Sequence, residues 1–97
     1  MRALLEVTMD TETANKLIAD GAVAEKFDRI MGELKPEAAY FFARGGRRSQ
    51  IVVIDVADEA SLPSICEPFW LEFNAEVDIH ICMNAEELHA GLDRLGR

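Results

Sequence analysis

From Glu76 to Met83 the apolar residues fall on every second position, with Val77, Ile79, Ile81 and Met83 alternating against Glu76, Asp78, His80 and Cys82. A two-residue period places successive side chains on opposite faces of a strand, and no helix gathers such a set on one side. The same period runs from Arg2 to Met9, where Ala3, Leu5, Val7 and Met9 oppose Leu4, Glu6 and Thr8. The β-branched run Ile51-Val52-Val53-Ile54, with Val56, supplies another strand. Ala38 to Arg44 forms its hairpin partner across Gly45-Gly46, two residues that tolerate the positive φ a tight turn needs.

Between these runs the period changes. Ala14, Leu17, Ile18, Ala24, Phe27, Met31 and Leu34 recur at spacings of three and four, with Asp10 or Thr11 placed to cap a helix. Gly21 interrupts the stretch at a cost of about 1 kcal/mol relative to alanine, and reads as a bend in one continuous helix. Lys35-Pro36 ends it, since proline disfavours helical geometry in the preceding residue. Asp58 to about Phe73 carries a second helix on Leu62, Ile65, Cys66 and Phe69, which Pro68 is expected to end or kink early. After the last strand, Asn84 with Glu87 three residues on resembles a capping box. The stripe Leu88, Leu92 and Leu95 predicts a tail helix of about three turns, docked on the domain or on a partner subunit, with Glu86, Glu87 and His89 on its polar side.

The order is therefore βαββαβ plus a tail helix, in one domain over residues 1–97. Right-handed crossovers turn that order into a ferredoxin-like α+β fold, a four-stranded antiparallel sheet with both main helices on one face. Leu5, Val7, Val52, Ile54, Val56, Val77, Ile79 and Ile81 are expected under the helices, with Ala39 and Ala43. The other face then carries Leu4, Glu6, Thr8, Ser49, Ile51, Val53, Asp55, Asp78, His80 and Cys82, together with Tyr40, Phe42 and Arg44. So much apolar surface on a small monomer marks an interface or a ligand site. Two-fold dimers are the commonest closed assembly, so the economical cover is the same face of a second copy.

A formal net charge of −8 and a pI near 4.6 argue against nucleic acid, whose binding needs clustered Lys and Arg. No apolar run approaches the ~20 residues that span a bilayer, and the first residues lack a signal-peptide core, so a cytoplasmic location is expected. Cys66 and Cys82 show no metal-ligand spacing and read as reduced, core-packing thiols.

Strand one at the start of the chain, Ile54-Asp55-Val56 before the second helix, and Glu76-Val77-Asp78-Ile79-His80-Ile81-Cys82 after the Pro68 to Phe73 stretch carry a resemblance. Over about nine tenths of its length the chain resembles the dimeric α+β barrel superfamily of small bacterial proteins, and in particular the muconolactone isomerase family. The resemblance implies a homodimer, a pocket between sheet and helices or inside the barrel, and chemistry on small organic molecules that often needs no cofactor. It implies no particular reaction and assigns no catalytic residue.

In this topology the last strand lies antiparallel beside the first, so His80 can meet Glu6 or Thr8 with Asp78 one pleat away. An imidazole oriented by a carboxylate suits proton abstraction beside a carbonyl, which makes His80, Glu6 and Asp78 the catalytic candidates. The same residues also fit a satisfied polar cluster at a dimer interface. A metal site lacks a convincing third ligand, and no cofactor is expected. Tyr40, Phe42, Phe69 and Trp70 are candidates to line an aromatic ligand pocket, with Arg44 as carboxylate anchor. Arg44, Arg47 and Arg48 together flank the hairpin turn, and such a basic cluster is more often a solvated hairpin that guards an edge strand. The expected function is a cofactor-independent isomerase- or oxygenase-like enzyme acting on a small aromatic or lactone-like acid; the alternative is a non-catalytic small-molecule-binding or accessory dimer.

Overall fold

The computed structural model describes residues 1–96. Its elements are β1 (Arg2–Thr8), α1 (Thr11–Ala19), α2 (Val23–Leu34), β2 (Ala38–Arg44), β3 (Arg47–Asp55), a 3-10 turn (Glu59–Ser61), α3 (Leu62–Phe73), β4 (Glu76–Ile81) and α4 (Ala85–Asp93). The strands form one antiparallel sheet in the order β2-β3-β1-β4. This is an α+β arrangement compatible with a ferredoxin-like fold.

The stretch expected to be one bent helix is two helices. Asp10 caps α1 by accepting hydrogen bonds from the Thr13 hydroxyl (2.8 Å) and backbone N–H (3.1 Å), which hold its carboxyl below the usual carboxylate range. At the other end Gly21 adopts φ +70, its N–H bonds to the Ile18 carbonyl, and the Ala22 N–H reaches back to the Leu17 carbonyl. These paired bonds close a helix through a left-handed residue, which glycine adopts without the Cβ penalty. Gly21 is thus a terminator, and α2 restarts two residues later.

Pro68 does not end the helix early: α3 runs through it for 12 residues. The proline removes the donor that would serve the Ser64 carbonyl, but Ser64 is exposed and water can take that acceptor. Upstream, the Asp58 carboxylate accepts from the Ser61 N–H (3.0 Å) and hydroxyl (2.8 Å). The capping box at Asn84 forms as the sequence reads, with Glu87 N–H to Asn84 Oδ1 at 2.9 Å and Asn84 N–H to Glu87 Oε1 at 2.8 Å. Gly45 and Gly46 take φ +59 and +77, the pair of positive values that a two-residue hairpin requires.

The core lies between the sheet and α1, α2 and α3. Ala3, Leu5 and Val7 from β1 and Val52 and Ile54 from β3 are buried against Ala14, Ile30, Ile65, Cys66, Phe69 and Phe73. Phe27 joins the layers, stacked on Phe73 (4.7 Å) and edge-on to Phe41 of β2 (5.6 Å). Burial pushes the Cys66 thiol pKa up and keeps it unreactive, whereas Cys82 is only half-buried; both are free.

One part of the chain stands away from this core. Leu88, Leu92 and Leu95 are 43%, 45% and 64% exposed, so the tail-helix stripe does not dock on its own domain. The chain extends over 56 × 28 × 17 Å with a radius of gyration of 15.6 Å, against about 12.5 Å for a globular domain of this length. No helix of the described residues is long and apolar enough to cross a membrane.

Candidate functional site

The register fixes which side chains share the uncovered face. Leu4 pairs with Val53 and His80, Glu6 with Ile51 and Asp78, and Thr8 with Ser49 and Glu76. Across the hairpin, Tyr40 pairs with Ile51 and Phe42 with Ser49. Tyr40 is 71% exposed and Phe42 36%, while Leu4, Ile51 and Val53 are half-buried by their neighbours alone. Strand two therefore places Tyr40, Phe42 and Arg44 on this face. Of its alternate residues, Ala39 is half-buried and Phe41 meets Phe27 of α2 edge-on while staying 60% exposed; Ala43 and Ile81, expected under the helices, are exposed because no helix reaches those strand ends.

Glu6 is the hub of the polar residues on this face. Its Oε1 accepts from Arg44 Nη2 at 3.1 Å, and its Oε2 lies 3.4 Å from His80 Nε2. Arg44 also stands over the Phe42 ring, 5.3 Å from its centroid. The Arg44 hydrogen bond, followed by its charge and the approach of His80, holds the Glu6 carboxyl below the usual carboxylate range. Asp78 sits directly across from Glu6 but, among the described residues, forms no ion pair; two carboxylates facing each other repel unless cations intervene. His80 is exposed, with its ring edge toward Glu6.

A depressed carboxyl pKa in the folded state stabilises the fold above the ordinary carboxylate pKa and loses that contribution as pH falls through the folded value. Glu6→Gln is therefore expected to lower Tm near neutral pH, with the difference from wild type shrinking as pH is brought from about 6 to about 3. Thermal unfolding followed by circular dichroism across that range checks it; a difference independent of pH would show that Glu6 acts through packing alone.

The basic residues of the hairpin are engaged within the chain. Arg47 Nε donates to the Met9 carbonyl (3.1 Å), and Arg48 Nη1 donates to Asn15 Oδ1 (2.9 Å). The residues expected to line one aromatic pocket are dispersed. Phe69 is fully buried in the core and Tyr40 lies open on the sheet. Trp70 borders a cleft of about 330 Å³ with Leu62, Cys66, Val77 and Ile79, whereas Phe42 edges a separate cavity of about 210 Å³. Neither lining includes Glu6, Asp78 or His80. Among the described residues no three His, Cys, Asp or Glu side chains converge to hold a metal ion.

Gln50 escaped the sequence reading. It is 1% exposed, and among the described residues neither its Nε2 nor its Oε1 has a hydrogen-bond partner. An unsatisfied buried donor or acceptor costs about 1–3 kcal/mol. Its signal was parity: Gln50 has the same strand phase as Val52 and Ile54, so a polar side chain was bound inward.

No protein-family description matches this chain, and no curated protein matches it.

Proposed function

We propose that the chain works as a cytoplasmic homodimer of the α+β barrel type, joined through the uncovered sheet face, and that it handles a small organic molecule. The observation that carries this reading is one face bearing Leu4, Tyr40, Phe42, Ile51 and Val53 with no layer over it. Two such faces brought together by a two-fold axis bury each other, as sheets do in a sandwich. The stripe of α4 supports the same conclusion, because a nine-residue helix is marginal alone in water and gains order by packing its leucines on another chain. The net charge of −8 supports a partner that is neither nucleic acid nor an anionic membrane.

In this reading Glu6, Arg44 and His80 form a satisfied polar seam of the interface. Arg44 is already bound to Glu6, so it offers a ligand only part of its donor set. Sedimentation equilibrium tests the assembly: the expected mass is twice 10.8 kDa at micromolar concentration, and a 10.8 kDa species at all concentrations overturns it.

The 3.4 Å approach of His80 to Glu6 favours a second reading, a cofactor-independent isomerase- or oxygenase-like enzyme of the kind the muconolactone isomerase resemblance implies, with the imidazole as base. Asp78 then adds negative charge beside the imidazolium. Titrating the His80 ring proton by NMR with and without benzoate discriminates the two, since an imidazole that works on a small acid shifts its midpoint on binding. An unmoved midpoint leaves the cluster structural.

A further inference from the structure

The cavity of about 210 Å³ on the helix side of the sheet belongs to neither reading above. It lies between the α1–α2 junction and β2–β3, walled by Ile18, Val23, Phe27 and Phe41. Arg48 stands in the wall with its guanidinium held by Asn15, and Gln50 borders the cavity, its carboxamide closed off from solvent and without a partner among the described residues. Ligand sites combine this kind of apolar wall with one or two polar groups that fix orientation.

Size and chemistry together narrow the occupant. An apolar cavity of about 150 Å³ is filled by benzene, so the volume here suits one ring with one small substituent. Gln50 offers one acceptor oxygen and a donor NH₂ side by side, and the group that satisfies both at once presents a donor and an acceptor in the same plane. A primary carboxamide or a lactam does so and brings no charge into an apolar wall.

We propose that this cavity is a binding site for a small cyclic or aromatic amide, whose donor–acceptor edge pairs with the Gln50 carboxamide as that side chain turns to meet it, while its ring packs against Phe27 and Phe41. The site is built from a single chain, so it stands or falls independently of subunit pairing. The unpartnered Gln50 carboxamide then gains its partner when the side chain turns toward the bound ligand.

Benzamide is the probe, with toluene as a ring that lacks the amide, and binding is followed by NMR on the full chain. The expected result is saturable benzamide binding, with intermolecular NOEs to Phe27 and Phe41 and a shift of the Gln50 side-chain NH₂ resonances. Gln50→Leu keeps the volume and removes the edge, so it should weaken benzamide at least about 10-fold while leaving toluene affinity unchanged or tighter. Absence of saturable binding, NOEs to other residues, or equal benzamide affinity in Gln50→Leu overturns the proposal. The wild-type NOEs decide the matter alone if the variant fails to fold.

Discussion

Phe73→Ala is expected to lower the free energy of unfolding by about 3–5 kcal/mol, the usual range for truncating a fully buried phenylalanine. Phe73 has no exposed surface, and it stacks on Phe27, which in turn meets Phe41 edge-on. Removing the ring therefore loosens α3 from α2 and α2 from β2, and leaves a cavity that the rigid sheet cannot close. Domains of this size have about 5–15 kcal/mol in total, so the variant should lie near the edge of folding. Leu71→Ala, two residues away but 80% exposed, should change stability by less than about 0.5 kcal/mol. Urea unfolding at one fixed protein concentration measures both, and the fixed concentration keeps association from entering the comparison. A loss below about 1 kcal/mol for Phe73→Ala would mean that the helix layer is not packed as described.

The elements that sequence made legible are those whose signal is local. Alternation placed β1 and β4 to within two residues, and the parity within each strand correctly put Glu6, Asp78 and His80 on one side. The capping box at Asn84 and the Gly45-Gly46 turn are likewise short-range chemistry. Gly21 was misread because a glycine in an apolar stripe is compatible with both a bend and a stop. The decision rests on Ala22 reaching back to Leu17, a contact that composition does not display. Pro68 does not stop α3 for a similar reason, since the carbonyl it orphans belongs to Ser64 on the wet side of the helix. Phe41 and Phe42 are adjacent aromatics, and the choice of Phe42 for the outer face was fixed by pairing with β3, whose Ser49 and Gln50 set opposite phases. The Arg44–Glu6 bond joins strands that are not neighbours, across β3, and so depended on the whole strand order.

The second large effect concerns assembly. Ile51→Glu is expected to leave the fold intact and to weaken self-association at least about 100-fold, equivalent to about 2.7 kcal/mol. Ile51 sits on a central strand between Glu6 of β1 and Tyr40 of β2, near the middle of the uncovered face. In the free subunit that position is half-buried at the surface of the sheet, so a carboxylate there still reaches water. Pairing of two faces would strip its water among Leu4, Val53 and Tyr40, where the Glu6 carboxylate already faces it across the ladder, and bring the partner's copy of the same charge close by. Charges placed unpaired at the centre of an interface are the substitutions that cost most. Sedimentation velocity over a dilution series reads the association, and far-UV circular dichroism reads the fold. Leu71→Glu carries the same charge on the exposed helix layer and should associate as wild type does. If Leu71→Glu dissociates and Ile51→Glu does not, the contact is made by the helices, and the uncovered sheet needs another occupant. If neither dissociates, the apolar face remains open in the assembly, and the polar seam of Glu6, Arg44 and His80 becomes an accessible surface on which the acid–base reading can be tested directly.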